Sequence, residues 1–311
     1  MQSVLVTGAQ GQIGSELLPA LADRDTVETV IASDIEEPDW DAGPSLVIDV
    51  RDDERLRAVI EEHGVDTVFH LAAILSARGE EYPNLAFDVN VNGLYTVLET
   101  VRELEVDRLV VPSSIAVFGP ETPEPPAEMT TLAPRTIYGI SKVFGEHLGN
   151  YYSWKNDVDV RGVRLPGIIS HKTLPGGGTT DYAVEVFYEA VKSGEYTYFV
   201  REDTELPMMY MADAIRALIG IATANREALE YPCSYNVGAL SFTAGELTDA
   251  IQAEYPDFQA HYEPDERQDI ADSWPNAVDD SAAREDWGWD HEYDLETMTA
   301  DMLEHLEEKL G

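Results

Sequence analysis

An α/β fold with a doubly wound parallel sheet and a smaller C-terminal portion follows from three features of the sequence. Short apolar runs alternate with amphipathic stretches through the first half, the pattern of parallel strands joined by crossover helices. A glycine-rich loop, Gly8-x-x-Gly11-x-x-Gly14, separates the first apolar run from the first helical stretch, as in Rossmann-type sheets. After Pro166-Gly167 the alternation gives way to smaller mixed elements.

Taken in order, the expected strands are 4–6, 29–32, 67–71, 108–111 and 160–165, all rich in β-branched and bulky apolar residues. Helices fit at roughly 12–23, 52–63, 84–105 and 136–154, where apolar residues recur at helical spacing. Beyond them come a loop at Pro175-Gly176-Gly177-Gly178-Thr179-Thr180, a helix near 181–193 and a short strand at 196–199. Residues 1–170 are expected to form the dinucleotide-binding domain and 171–311 a mainly substrate-binding portion, with part of 207–240 returning to the main sheet. No internal repeat is visible, and the proline-rich stretch 120–126 reads as a surface connection.

Sixty acidic residues against twenty basic ones give a formal net charge of −40 over 311 residues. Such a surface repels nucleic acid and anionic membranes, so neither is an expected partner. The acids are spread along helices that keep regular apolar positions, as in 52–62, and only five lysines remain. A 44% hydrophobic content with clear periodicity excludes a disordered acidic chain. Self-repulsion of this size is relieved by short-range screening, which predicts a high-salt interior and a halophilic archaeon as the source. Cys233 is the single cysteine, so no internal disulfide and no cysteine-rich zinc site is expected. The first residues run directly into a strand and no apolar run reaches membrane-spanning length, which predicts a cytoplasmic protein.

The loop Gly8, Gln10, Gly11, Gln12, Ile13, Gly14 permits a tight turn and brings backbone N–H groups to a pyrophosphate. Asp34 closes the next strand, where a carboxylate accepts from both ribose hydroxyls and repels a 2′-phosphate, so NAD is expected rather than NADP. Asp49 and Val50 are candidates to flank the adenine. Leu71, Ala72 and Ala73 are small enough to let the middle of the cofactor pass close to the backbone, and Asn90 and Leu165 are further candidate contacts.

Tyr138 and Lys142 stand four residues apart, hence on one face of the predicted helix 136–154. An ammonium beside the phenol favours phenolate. Bringing a phenol from about 10 to about 7 takes roughly 4 kcal/mol, which Lys142 and an oxidised nicotinamide would share. That makes a general base for alcohol oxidation by hydride transfer. Ser113 and Ser114 close the strand 108–111 at the edge where open parallel sheets place ligands; Ser114 is favoured as the hydroxyl that orients a substrate alcohol. His70, on an apolar strand with no second ligand at metal spacing, reads as a hydrogen-bonded core histidine.

The glycine loop, the string Ser113-Ser114-Ile115-Ala116-Val117-Phe118-Gly119 and Tyr138-x-x-x-Lys142 together resemble the extended short-chain dehydrogenase/reductase superfamily over essentially the whole chain. The strings at 112–120, 175–183, 207–211, 271–275 and 279–289 resemble, more narrowly, the short-chain L-threonine 3-dehydrogenases. The resemblance implies NAD⁺-dependent oxidation of the L-threonine β-hydroxyl to 2-amino-3-oxobutyrate without a metal. Tyr138 would act as base, Lys142 would lower its pKa and hold the nicotinamide ribose, and Ser114 would position the hydroxyl. Gly177, Gly178, Thr179 and Thr180 offer donors for the substrate carboxylate, Asp181 an acceptor for its ammonium, and Ser76 a second contact. Trp274 would cap the pocket or belong to the core. The family also implies a homodimer packed through the Tyr-Lys helix and the helix before it, with Val143, Phe144 and Leu148 available either for that face or for the sheet.

Two other readings use the same residues. A sugar-nucleotide epimerase or dehydratase shares the Tyr and Lys but needs basic groups converging on a second pyrophosphate, for which Arg201 and Arg267 are the available pair. A non-catalytic NAD-sensing protein would keep the fold, yet has no need of a phenolate base.

Overall fold

The computed structural model describes every residue, Met1–Gly311. Six parallel strands form the main sheet in the order Ser45–Val47, Thr29–Asp34, Ser3–Thr7, Thr67–His70, Arg108–Val110, Val160–Arg161. Both faces are covered, which is why Val4, Leu5, Val6, Ile31, Val68 and Phe69 are all buried and the strands read as continuous apolar runs. Leu17 and Leu21 of the helix Gln12–Ala22 pack with Leu218 on one face; Leu56, Val59, Val97 and Val101 cover the other.

Winding proceeds outward from Ser3–Thr7 in one direction and from Thr67–His70 in the other. The reversal opens a crevice at the carboxyl ends of these two neighbours, where this class of sheet binds ligands. Gly8 and Ala72 meet there.

Two expected elements are interrupted. The run 160–165 divides at Gly162, where an added Cβ would lie 2.3 Å from the Val111 carbonyl oxygen and the N–H donates to Pro232 O. The chain therefore leaves the main sheet, and Val163–Leu165 pairs with Ser113–Ser114 on one side and Tyr235–Asn236 on the other. The helix expected over 84–105 is composite: α-helix Pro83–Phe87, a π-helical turn Asp88–Gly93, then α-helix Leu94–Glu103. Gly93 packs on Val50, and the wider turn directs the Asn90 amide inward.

Past residue 166 a three-stranded sheet, ordered Leu240–Thr243, Glu205–Tyr210, Gly167–Ile169, adjoins a parallel pair of Glu195–Tyr198 with Gln259–Tyr262. The helices Tyr182–Lys192 and Leu295–Leu310 pack together over a core of Tyr182, Phe187, Tyr198, Leu247, Met302 and Leu306. No helix is long and apolar enough to cross a membrane.

Candidate active site

Gly8 takes a left-handed φ of 71°, and a Cβ there would sit 2.7 Å from Ala72 N. A Cβ on Gly14 would fall 2.3 Å from the Gly8 carbonyl oxygen. Only glycines allow the loop to lie this close to the next strand and leave the N-terminus of the helix Gln12–Ala22 open to an anion; its first turn carries no acid. Asp34 Oδ2 accepts from Gln10 N at 2.9 Å and Oδ1 from Ile35 N at 2.7 Å, so the carboxylate is fixed at its strand end. This donor set fits a dinucleotide: an uncovered glycine cradle for pyrophosphate and an oriented carboxylate for ribose hydroxyls.

A continuous cleft of ≈ 400 Å³ runs from this loop into the C-terminal portion. Gly8, Gln10, Gly11, Gln12, Ile13, Gly14, Leu71, Ala73 and Leu165 line it, together with Ser76, Ser114, Tyr138, Lys142, Gly178, Thr179, Thr180, Asp181 and Trp274. Ala72 contributes backbone against Gly8. Of the other expected cofactor contacts, Asp34, Asp49, Val50 and Asn90 lie outside the lining of this cleft. Asp49 pairs with Arg51 on the exposed side, Val50 is buried against Gly93, and Asn90 braces the loop after Thr67–His70 by accepting from Ile74 N and donating to Ile74 O.

Thr136 caps the helix Ile137–Asn156 by accepting from Gly139 N, which sets Tyr138 and Lys142 in its first turns. Lys142 Nζ donates to Pro112 O at 2.8 Å and lies 5.4 Å from the Tyr138 ring centre. Burial pulls the ammonium down to about 8, opposed by the charge of Glu146. It pushes the Tyr138 phenol up to about 12, opposed by a hydrogen bond with Ser114. The phenol is thus raised by burial where Lys142 was expected to lower it, and the ammonium donates to a carbonyl instead. Ser114 stands at the phenol and accepts from Ala116 N at 3.2 Å, while Ser113 donates to Glu146 Oε1 at 2.5 Å. Glu146 in turn makes a buried bidentate pair with Arg164, 2.8 Å in each arm. His70 shares a 2.9 Å hydrogen bond with Thr7 and is pulled down to about 3 by burial, so it is neutral.

Three of the four loop residues expected to offer donors to a carboxylate are already committed, and Thr180 is not. Gly177 N and Gly178 N both donate to Asp181 Oδ2, at 3.0 and 2.7 Å, and Thr179 N and Oγ1 bond Ser76 Oγ. Asp181 folds back over its own loop, a capture that no spacing rule reveals. Burial still pushes its carboxyl up to about 6. Trp274 is both cleft wall and core. Arg201 pairs with Asp272 and Asp203, Arg267 pairs with Asp265 and stacks on Phe199, and neither lines the cleft.

Cleft residues that the sequence reading passed over include Thr173, Gly176 and Arg78. Thr173 O accepts from Gln12 Nε2 and its hydroxyl bonds Ser15, joining the C-terminal loop to the glycine loop helix. Arg78, two residues after Ser76, carried a signal in being a cation beside a candidate contact. Outside the cleft, His171 and His305 stack with centres 4.1 Å apart beside Asp301. Near-parallel stacked rings aim their in-plane lone pairs side by side, a poor arrangement for one ion.

The sequence profile of the NAD dependent epimerase/dehydratase family matches residues 4–238. An uncharacterized epimerase/dehydratase of Staphylococcus haemolyticus is 45% identical, covering 99% of both chains. A staphylococcal relative gives no support to a halophilic archaeal source. The structure of a monomeric L-threonine 3-dehydrogenase from a metagenome is 47% identical over 99% of this chain and 100% of that one, with a TM-score of 0.96. The holo form of L-threonine dehydrogenase from Cupriavidus necator is 48% identical over 98% and 99%, with a TM-score of 0.95. With the glycine cradle, the oriented Asp34 and a family match spanning the whole nucleotide-binding sheet, the chain belongs to the NAD dependent epimerase/dehydratase family and takes NAD as its cofactor.

Proposed function

We propose that the protein is an L-threonine 3-dehydrogenase, oxidising the β-hydroxyl of L-threonine to give 2-amino-3-oxobutyrate and NADH. The observation that carries this reading is the presence of Asp181, a lone cleft carboxylate, in the same chamber as Ser114 and Tyr138. A small amino alcohol needs one anion for its ammonium and a hydroxyl-binding pair at the reacting carbon. A sugar nucleotide needs a cluster of cations, and Arg201 and Arg267 are ion-paired away from the cleft. The names of the similar solved structures support the same choice.

Ser114 and Tyr138 bind the substrate hydroxyl, and Tyr138 takes its proton. NAD⁺, when bound, accepts the hydride and adds positive charge beside the phenol. Lys142, anchored on Pro112 O and lying against the Tyr138 ring, would support the phenolate and hold the nicotinamide ribose. Thr180, whose hydroxyl has no protein partner, and Ser76 complete the substrate wall. Residues 1–170 serve the cofactor and 171–311 mainly the substrate. The exposed apolar side chains Tyr95, Ile140, Phe144, Tyr151 and Trp154 on the helices Leu94–Glu103 and Ile137–Asn156 support a homodimer through this face, whereas Val143 and Leu148 turn into the core. The charge of −40 supports work in concentrated salt, and the buried thiol of Cys233 a reducing, cytoplasmic setting.

The test is NADH formation by purified protein with L-threonine and NAD⁺ across salt and pH, with UDP-sugars as the comparison substrates. NAD⁺ binding without threonine-dependent NADH would overturn the reading.

A further inference from the structure

We propose that the Arg78 guanidinium holds the carboxylate of the amino-acid substrate, opposite Asp181 and its ammonium; the inference rests on the functional reading above. Two cations line the cleft, and Lys142 is committed to Pro112 O. Arg78 is the other. Its backbone N–H donates to Gly177 O at 3.3 Å, and a Cβ on Gly177 would lie 3.4 Å from the Arg78 Cβ, so the residue stands directly against the substrate loop. Asp181 Oδ2 reaches the other side of the same glycine at 3.0 Å. One cation and one anion therefore flank Gly177, the arrangement that a zwitterion requires.

Three of the loop's backbone donors, the Gly177, Gly178 and Thr179 N–H groups, are satisfied within the protein, so the loop offers a carboxylate no charged donor and few free ones. The Arg78 side chain, by contrast, is exposed and makes neither an ion pair nor a hydrogen bond. In a chain of net charge −40 that is an uncommon state for arginine, since most others here are captured by carboxylates. Its neighbouring acids are engaged elsewhere: Glu80 accepts from Ile137 N at 2.8 Å and Glu81 bonds Tyr82. The guanidinium of this exposed, cleft-lining residue is left without a partner, with fork geometry suited to a carboxylate.

The experiment compares wild type, Arg78→Ala and Arg78→Lys with L-threonine and with 1-amino-2-propanol, the same amino alcohol lacking the carboxylate. Arg78→Ala is expected to raise the KM for L-threonine roughly tenfold with kcat within about twofold, the size of one lost charge-assisted contact. Arg78→Lys recovers part of the loss. Turnover of 1-amino-2-propanol and the Kd for NAD⁺ stay unchanged in both variants. An unchanged threonine KM, or an equal loss with both substrates, overturns the inference; a weakened NAD⁺ Kd assigns Arg78 to the cofactor instead. Wild-type protein inert toward L-threonine overturns the functional reading, and this inference with it.

Discussion

The Lys142 ammonium lies 5.4 Å from the centre of the Tyr138 ring while donating to the Pro112 carbonyl at 2.8 Å. The pair that sequence spacing joins through the phenol oxygen is joined instead through the ring face and a strand end. Burial raises the phenol, which holds it protonated, and lowers the ammonium, which at about 8 keeps its charge at neutral pH. An oxidised nicotinamide bound here would add positive charge beside the phenol and favour its ionisation, which would tie base strength to cofactor binding.

Tyr138→Phe removes the base and one of two hydroxyl contacts, leaving the glycine loop and Asp34 untouched. We expect kcat to fall by roughly 10²–10⁴-fold with NAD⁺ affinity within about threefold, measured by steady-state kinetics and calorimetric titration. Retention of more than a tenth of wild-type kcat would remove Tyr138 from the base role.

Lys142→Met should abolish most turnover and stabilise the fold near neutral pH. The folded pKa of Lys142, about 8, lies below its ordinary value of about 10.4, so between these the unfolded chain binds more protons and stability rises with pH. At pH 7 the variant escapes that burden but leaves Pro112 O without its donor, for a net gain of roughly 1–2 kcal/mol. Urea unfolding at pH 7 and pH 10 checks this; a wild-type deficit that does not shrink with pH contradicts it.

What the sequence disclosed and what it hid divide along local against tertiary causes. Gly8, Gly14 and Asp34 were legible because a glycine turn after a strand and an acid at the next strand end follow from chain geometry alone. Tyr138 and Lys142 were legible through helical spacing. The commitment of Gly177 N and Gly178 N to Asp181 was not, since a side chain returning to its own loop obeys no period. Nor was the breaking of 84–105 into α, π and α turns, which depends on Val50 packing against Gly93 across more than forty residues. Ser113 and Ser114 adjoin in sequence, and tertiary partners separate them: Ser113 donates to Glu146 on the helix Ile137–Asn156, while Ser114 bonds Tyr138.

Asp181→Asn tests the ammonium contact. The folded pKa of about 6 is above the ordinary carboxyl value of about 3.9. Protonation therefore favours the folded state below pH ~4, and that contribution is lost as pH rises through about 6. The threonine KM of wild type should fall over the same interval as the carboxylate ionises, while Asp181→Asn shows a KM raised roughly tenfold and flat with pH. Parallel pH profiles for the two proteins would show that Asp181 only shapes its loop.

Asp34→Ser addresses cofactor choice. Asp34 is fixed by Gln10 N and Ile35 N, and at that strand end its charge would accept from the ribose hydroxyls and oppose a 2′-phosphate. The ratio of kcat/KM for NAD⁺ to that for NADP⁺ should drop by roughly 10–100-fold, largely through KM. If the ratio is unmoved, selection lies outside this carboxylate.

Glu146 joins the stability of the fold to the order of the site. It accepts from Ser113 and pairs both carboxylate oxygens with Arg164, whose side chain is 2% exposed. Glu146→Ala leaves that guanidinium buried with only the Glu128 carbonyl and Asn236 as partners, and an uncompensated buried charge costs about 3–5 kcal/mol. Replacing both partners by methionine removes the charge with its counter-charge and should restore most of the loss. Denaturant midpoints of Glu146→Met, Arg164→Met and the double variant form the cycle, with Glu146→Ala beside it. If the double variant is as unstable as Glu146→Ala, the destabilisation comes from lost packing around Ser113 rather than from the orphaned Arg164 charge.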